Sequence, residues 1–186
     1  MAKRKFKMPT KSDLNGRSST ISNAFAISVT PYIYPNEEEI NQFHSLLEIE
    51  EGQCAYCLGI GNGRDHLRPL VENGMPTGYI TEIKNLVPCC QECNSSKGGK
   101  AFREWYKSDK NLKRLKKRMK LDEINHRFDI ICAYEERIGE PLNYENLVGK
   151  EIWNEYRERK DNMIKMLKDN QEFCDKVSAM IKEKIK

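Results

Sequence analysis

The sequence predicts a helix-rich α+β fold in which a small β-containing unit lies between helical segments. Apolar residues recur at helical spacing in residues 36–50 and again beyond residue 121. Short apolar runs and most of the glycines fall between residues 52 and 100, where two cysteine pairs frame them. Hydrophobic residues make up only 38% of the 186 residues and charged residues 32%, which indicates much surface relative to core.

The N-terminal part divides into a basic arm and an apolar segment. Residues 1–22 are rich in Lys, Arg, Ser and Asn and have no apolar period, so we expect a flexible arm. Residues 24–35 are apolar and β-prone but contain Pro31 and Pro35, which favours an extended segment packed on the core. No apolar stretch follows the basic start, and no run approaches the roughly 18 apolar residues of a membrane span. We therefore expect a cytoplasmic (intracellular) protein with no membrane partner.

Helix signals appear on both sides of the central unit. Asn36 followed by three glutamates is typical of a capped helix start, and the pattern continues to about Glu50, with Gly52 ending it. A charged helical region begins at Phe102, its apolar period continues through residues 124–138, and Pro141 breaks it. A last amphipathic stretch runs from about Gly149 to the end.

These patterns divide the chain into three segments. Residues 1–50 form a basic arm, an extended segment and a helix. Residues 51–106 form the central unit with the cysteine pairs. Residues 107–186 form a helical region suited to nucleic-acid contact, to dimerisation or to both.

The two cysteine pairs, Cys54/Cys57 and Cys90/Cys93, predict a metal site. Zinc takes four thiolate or imidazole ligands in a tetrahedron, and two intervening residues let both sulfurs of a pair turn towards one ion. An odd total of 7 cysteines in a chain expected to be intracellular also argues against a disulfide framework. We predict one structural Zn²⁺ that clamps the base of the insert between the pairs.

The remaining cysteines have weaker claims. Cys89 adjoins Cys90 and could replace it as the ligand, but Cys90 has the two-residue spacing to Cys93. Cys132 and Cys174 fall in helical stretches, where a small buried hydrophobe is the expected role.

The insert between the pairs predicts a β-hairpin followed by a helix. Asp65 and His66 stand in a short β-like run, a loop with two glycines and a proline follows, and the second run is Asn85 to Pro88. The two runs suggest a hairpin with a long tip. The second cysteine pair should open a helix that carries Asn94.

These residues resemble the HNH, or ββα-metal, endonuclease family. The pattern of that family is an Asp-His or His-His pair on the first strand, an Asn-Leu on the second, and a Cys-x-x-Cys-His or Cys-x-x-Cys-Asn helix start ending in Lys. Here these are Asp65-His66, Asn85-Leu86, Cys90 to Asn94 and Lys97. The match covers roughly residues 52–100, and Asn94 stands where many members have His.

The resemblance implies a catalytic centre with defined roles. His66 would be the general base, because an imidazole titrates near neutral pH. Asp65 and the carboxamide oxygen of Asn94 would bind a hard cation, Mg²⁺ or Mn²⁺, that assists phosphodiester hydrolysis. Asn85 would hold the loop and orient the histidine. No small-molecule cofactor is expected.

Basic residues flank the expected centre and predict contact with double-stranded DNA. Residues 107–120 carry eight Lys or Arg opposed by one Asp, although a solvated helix face is the usual fate of such a run. The candidate DNA-binding residues are Lys97, Lys100, Arg103, Lys107, Lys113, Arg114, Lys117 and, in the N-terminal arm, Lys3, Arg4 and Lys5.

Three functions fit these features. The first is a sequence-specific DNA endonuclease of the type II restriction kind, in which a homodimer formed through the C-terminal helix cuts both strands. The second is a homing, phage or structure-selective nicking nuclease with the same centre. The third is a zinc-dependent nucleic-acid-binding module without catalysis. The recognition sequence, the cut stagger and a preference for DNA over RNA have no readable signal in the residues.

Overall fold

The computed structural model describes residues 8–185 and is helix-rich, with more than half of the chain helical and under a tenth in strands. This confirms the prediction of a helix-rich α+β protein. The helices are α1 (Ser18–Ser28), α2 (Glu37–Leu46), α3 (Gln91–Lys97), α4 (Phe102–Lys107), α5 (Asp109–Leu115), α6 (Leu121–Glu135), α7 (Tyr144–Val148) and α8 (Lys150–Lys184). The strands are β1 (Gly63–His66), β2 (Val71–Glu72), β3 (Met75–Pro76) and β4 (Leu86–Cys89). Short 3-10 turns cover Asn15–Arg17 and Ile83–Asn85.

The chain divides into two compact units. One unit is Ala26–Tyr144, and the other combines the part up to Phe25 with the part from Glu145 onward. The first unit contains all the strands and both cysteine pairs, so the 51–106 segment expected from the sequence lies inside a larger body.

The predicted hairpin with a long tip is confirmed. β1 pairs antiparallel with β4, with Gly63 opposite Cys89 and His66 opposite Leu86. The small hairpin β2–β3 lies within the tip. Asn85 ends the 3-10 turn just before β4, so the second strand begins one residue later than the sequence suggested. α3 follows directly and carries Asn94, as expected.

In the tip of the hairpin, Gly78 occupies a position where no other residue fits. Its φ is +94°, and a Cβ there would lie 2.4 Å from the Leu142 carbonyl oxygen. The Leu142 amide also donates to the Gly78 carbonyl at 2.9 Å. Any side chain at this position would push the tip away from the loop after α6.

The expected helix start at Asn36 is confirmed in atomic detail. The Asn36 side chain accepts from the Glu39 amide, and the Glu39 carboxylate accepts from the Asn36 amide, which together form a capping box. The helix ends at Leu46, earlier than the expected Glu50. Glu48 adopts a left-handed φ of 46°, and the Ile49 amide donates to the His44 carbonyl, which closes the helix end.

The core of the larger unit is an aromatic cluster beside the cysteines. Tyr56 stacks on Phe102 with 5.8 Å between ring centroids and meets Trp105 edge to face at 4.9 Å. Phe128 of α6 also stacks on Phe102, with 5.7 Å between ring centroids. Because Tyr56 lies between Cys54 and Cys57, this packing ties the first cysteine pair to α4 and α6.

The N-terminal region corrects two expectations. Residues 15–28, taken as the end of a flexible arm and the start of an extended segment, are a 3-10 turn and α1. Tertiary packing outweighs β propensity there: Ala26 is fully buried, and the Phe25 ring lies 6.1 Å from that of Tyr156. Around Tyr32 the chain does make an isolated parallel bridge, to Thr81, as an extended segment would.

The long C-terminal helix predicted from residue 149 is confirmed as α8, with 35 residues. Many of its apolar side chains are exposed, including those of Met166, Phe173 and Met180. Cys174 on this helix is exposed, which corrects the expectation of a buried position, whereas Cys132 is buried. Among residues 8–185 no helix combines the length and the apolar character needed to cross a membrane.

Candidate active site and metal centre

The four cysteines of the two pairs form one cluster. The Sγ atoms of Cys54, Cys57, Cys90 and Cys93 all lie within 4.8 Å of one another, and those of Cys57 and Cys90 are 3.8 Å apart. A tetrahedral Zn²⁺ with about 2.3 Å bonds to sulfur requires sulfur separations of about 3.8 Å. The cluster can therefore hold a structural metal such as zinc.

The local structure explains how the pairs converge. The Cys54 amide donates to the Gly59 carbonyl at 2.7 Å, which closes a turn around the first pair. Cys90 caps the start of α3, with its Sγ accepting from the Cys93 amide at 3.4 Å. The Ala55 amide donates to the Pro88 carbonyl, so the first turn is fastened beside the end of β4.

Two arginines of the basic segment contact this cluster. Arg114 donates to Cys93 Sγ at 3.2 Å and Arg118 to Cys57 Sγ at 3.7 Å. Hydrogen bonds from the thiols of Cys54 and Cys93 lower the pKa of Cys57, which favours its thiolate. Four thiolates around a divalent ion carry a net charge of −2, and the two guanidinium groups offset it.

Arg114 therefore has a structural role that differs from the expected DNA contact. Its guanidinium is mostly buried, lies 5.8 Å from the ring centroid of Trp105 and also donates twice to Asn111 Oδ1. With its donors directed at Cys93 and Asn111, it is not a free phosphate-binding group.

The structure selects Cys90 over Cys89 for the cluster. Cys89 is buried at the end of β4 opposite Gly63 of β1, whereas the Sγ atom of Cys90 lies within 4.8 Å of the other three sulfur atoms of the cluster.

Asp65 points into the protein and is held by two donors. Tyr56 donates its hydroxyl proton to Asp65 Oδ2 at 2.6 Å, and Lys97 Nζ lies 3.1 Å from the same oxygen. Burial, followed by the Asp65 charge, raises the pKa of Tyr56 well above its usual value, so the phenol stays a donor. Within residues 8–185 no hydrogen bond reaches Oδ1, which leaves that oxygen for another ligand.

Lys97 is buried, and this corrects the expectation that it contacts DNA. Only 1% of its side chain is exposed. Its Nζ donates to the His66 carbonyl at 2.6 Å as well as meeting Asp65. Lys97 thus joins the last turn of α3 to both residues of the Asp-His pair in β1.

His66 faces the other side of β1, because successive strand residues alternate. Its Nε2 lies 3.1 Å from Thr81 Oγ1, while Nδ1 has no hydrogen-bond partner within the described part of the chain. Thr81 is itself fixed by two backbone hydrogen bonds, to Pro31 and from Ile33. Burial lowers the pKa of the His66 imidazole, which keeps it neutral near pH 7.

Asn85 is fully buried and holds the strand ends in place. Its Oδ1 accepts from the Arg68 amide at 2.8 Å, and its Nδ2 donates to the carbonyls of Arg68 and Ile80. The Leu67 amide in turn donates to the Asn85 carbonyl. These bonds fix the chain immediately after His66 and the loop that leads to Thr81.

Asn94 precedes Lys97 by three residues on α3, a spacing that puts both side chains on one side of the helix. Lys97 contacts Asp65 and His66 of β1, so this is the side of α3 that meets β1. Its backbone is satisfied within α3, and among the described residues its carboxamide has no hydrogen bond. Asp65 Oδ1 and the Asn94 carboxamide oxygen are therefore the available hard ligands of this region.

The other candidate DNA-binding residues differ in whether their side chains are already paired within the protein or are exposed. Arg103 is paired with Glu135 at 2.7 Å and Glu136 at 3.3 Å, and Lys107 lies 4.2 Å from the ring centroid of Phe128. Lys100, Lys113 and Lys117 are exposed or half-exposed. Lys3, Arg4 and Lys5 lie outside the described residues.

Three residues that the sequence did not single out complete the site. Tyr56 contacts Asp65, Arg118 contacts Cys57, and Thr81 contacts His66. Tyr56 could have been noticed because it stands inside the first cysteine pair. Thr81 is linked to His66 only through the return of the hairpin tip, which no local pattern encodes.

Comparison of the chain with protein-family models, curated proteins and solved structures gives no match in any of the three.

We expect one zinc ion per chain, and Cys93→Ser to lose it. Removing one of four sulfur ligands weakens metal binding, and because bound metal contributes to folding, the melting temperature should fall. Zinc content by atomic absorption and thermal unfolding measure both effects. Cys89→Ser is the matched control and should retain one zinc, because Cys89 lies outside the cluster. Wild-type protein purified without chelator but lacking zinc would contradict this expectation.

Proposed function

We propose that the protein is a metal-dependent endonuclease that hydrolyses phosphodiester bonds in double-stranded DNA at an HNH, or ββα-metal, centre formed by β1, β4 and α3. The observation that carries the proposal is the pair of contacts made by Lys97, to Asp65 and to the His66 carbonyl. They join the Asp-His strand to the helix face that carries Asn94, which is the set of elements that the resemblance requires.

Asp65 and Asn94 are the residues that would hold the catalytic cation. Asp65 offers Oδ1 while Tyr56 and Lys97 occupy its other oxygen, and Asn94 offers a carboxamide that makes no hydrogen bond among the described residues. Two oxygen donors favour Mg²⁺ or Mn²⁺ over a softer ion. When bound, the cation supplies charge neutralisation at the phosphate and at the leaving oxygen.

His66 acts as the general base. Contact with Thr81 orients the ring through Nε2, and Nδ1 remains to accept a proton from the attacking water. A lowered pKa suits this role, because the imidazole must be neutral before it can take a proton. Asn85 positions the base indirectly, through the backbone on either side of the site.

The cysteine cluster serves as a structural zinc site. It joins the turn before β1 to the first turn of α3, so it holds the two ends of the catalytic hairpin at a fixed separation. Four sulfur ligands would complete a tetrahedral zinc shell, which leaves no ligand position for a reacting water. Arg114 and Arg118 donate to two of these sulfurs.

A basic face on α5 supports binding to the DNA backbone. Lys110, Lys113 and Lys117 carry exposed or half-exposed side chains spaced three and four residues apart, so they lie along one side of the helix and its C-terminal turn. The opposite side of α5 is buried through Asn111 and Leu115. Three ammonium groups on one face suit successive phosphates of a duplex.

The exposed apolar stripe of α8 supports a homodimer. Met163, Met166, Phe173, Val177 and Met180 follow alternating steps of three and four residues, with a polar Asn170 completing the series, and all five apolar side chains are exposed. This is the spacing of a coiled-coil seam. Two copies would bring two centres to a duplex, as a type II restriction enzyme needs in order to cut both strands.

We expect His66→Ala to lower the rate of Mg²⁺-dependent plasmid cleavage by at least about 100-fold, because a positioned base contributes about 10²–10⁴-fold. Cleavage is followed on gels, with zinc content and circular dichroism confirming an intact fold. His126→Ala, at an exposed histidine paired with Glu48, is the control and should cleave normally. Near-normal cleavage by His66→Ala would remove that residue from the role of base.

The wild-type lane of the same gel separates the related functions. Discrete fragments indicate a restriction enzyme, whereas nicked circles or a smear indicate a nicking nuclease. Retained DNA binding without cleavage would indicate a zinc-dependent binding module and contradict the proposal.

We expect the triple variant Lys110→Gln, Lys113→Gln and Lys117→Gln to weaken DNA binding and to flatten its salt dependence. For each phosphate that the variant no longer neutralises, the slope of log K against log salt should become shallower by about 0.9. Fluorescence anisotropy at several salt concentrations measures the slope. Gln substitution of Lys165, Lys168 and Lys176 on α8 removes the same charge and should leave the slope unchanged. Equal slopes for the α5 variant and the wild type would exclude these lysines from the interface.

A further inference from the structure

We infer that a cavity beside His66 binds one nucleobase of the DNA, turned out of the helical stack next to the cleaved bond. The cavity has a volume of about 320 Å³ and lies between α2, the 31–35 segment and the outer face of the β1–β4 ribbon. This inference rests on the proposed endonuclease function, because it assigns part of the substrate to that site.

Three residues that line the cavity are neighbours of the general base. Leu86 lines the cavity and is the direct cross-strand partner of His66. Thr81 lines it and contacts His66 Nε2 at 3.1 Å. Arg64 lines it and precedes His66 by two residues on the same strand face. A phosphate at His66 and a group in this cavity are therefore neighbours.

The walls suit a flat aromatic ring. Tyr32, Tyr34 and Phe43 contribute three aromatic side chains, and the rest of the lining is mainly aliphatic, with His44, Arg64 and Thr81 as its polar members. Tyr34 is 89% exposed and Tyr32 60% exposed, so both rings are uncovered. Enzymes that extrude a base hold it by stacking between aromatic and apolar side chains. A volume of about 320 Å³ falls at the small end of ligand sites, as one base requires.

The charge of the lining favours a partner that carries negative charge, as nucleic acid does, over a basic or a neutral partner. Arg64 lies with its guanidinium carbon 5.9 Å from the ring centroid of Phe43, and it donates to the adjacent Gly63 carbonyl. None of the described residues that line the cavity is a carboxylate. A cation such as Arg64 beside the aromatic rings can contact the phosphate of the same nucleotide whose nucleobase enters the cavity.

The segment that carries Tyr32 and Tyr34 is fixed to Thr81 by two backbone hydrogen bonds. The Ile33 amide donates to the Thr81 carbonyl at 2.9 Å, and the Thr81 amide donates to the Pro31 carbonyl at 3.1 Å. The same threonine therefore holds both the segment that carries Tyr32 and Tyr34 and the ring of His66. A nucleobase bound against Tyr32 and Tyr34 would help to align the neighbouring phosphate with His66, the general base.

The experiment compares removal of the Tyr34 ring from the protein with removal of one nucleobase from the DNA. The cleaved bond is first mapped by sequencing the ends of plasmid fragments cut by the wild-type protein. Duplexes are then made in which one nucleotide close to that bond is replaced by an abasic residue, each neighbouring position in turn. Binding is measured in a His66→Ala background so that the DNA stays intact, with Tyr34→Ala, Tyr34→Phe and, as control, Ile60→Ala, which removes an apolar side chain that is 84% exposed and outside the cavity.

Tyr34→Ala should weaken binding of the intact duplex by about 5- to 150-fold, the range for loss of one stacked base. At one abasic position this effect should vanish, because the ring then has no base to contact. Tyr34→Phe and Ile60→Ala should bind like the parent.

Two results would overturn the inference while leaving the proposed nuclease intact. Tyr34→Ala could bind DNA as tightly as the parent, or it could weaken binding to every abasic duplex equally. In the first case, a changed sedimentation coefficient would make a second copy of the chain the occupant. Failure of the wild-type protein to cut any plasmid would instead overturn the proposed function, and the base site with it.

Discussion

The buried ion pair between Lys97 and Asp65 is the contact on which the geometry of the candidate site depends. Both side chains are almost fully buried, and the pair is completed by the Tyr56 hydroxyl and the His66 carbonyl. A buried charge without its partner costs about 3–5 kcal/mol, so α3 cannot leave β1 without a large loss of stability. The pair also leaves Asp65 one oxygen facing away from Lys97, so structural and metal-binding roles can coexist on one carboxylate.

The cysteine cluster constrains the same hairpin at its other end. Cys89 pairs with Gly63 at the start of β1, and Cys90 follows it into the cluster, whereas His66 and Leu86 form the last pair of the ribbon. One end of the ribbon is therefore fixed by sulfur atoms and two arginines, and the other by Lys97 and Asn85. Between them, little freedom remains for Asp65 and His66, which is the preorganisation that hydrolysis of a phosphodiester demands.

The sequence predicted those features that depend on local pattern. Cysteine spacing indicated the cluster, the capping residues indicated the start of α2, and the apolar period indicated α6 and α8. Predictions from the sequence were wrong where tertiary contacts determine the local structure or the burial of a side chain. Residues 24–28 are helical because Ala26 and Phe25 are packed, and Lys97 and Arg114 are interior groups because they have buried anionic or sulfur partners. Charge alone does not distinguish a lysine that binds phosphate from one that binds a buried aspartate.

The alternation of β1 divides the proposed centre between two faces. Asp65 lies on the inner face with Lys97 and Tyr56, and His66 lies on the outer face with Thr81 and the aromatic cavity. A scissile phosphate would sit at the end of the ribbon, where both faces are within reach. We propose that the inner face holds a divalent cation.

Anomalous diffraction from crystals of the zinc-loaded protein soaked in Mn²⁺ tests that claim most directly. We expect one manganese peak in contact with Asp65 Oδ1 and the Asn94 carboxamide oxygen, separate from the zinc at the cysteines. Manganese bound elsewhere, or no peak beside Asp65 at saturating Mn²⁺, would contradict it.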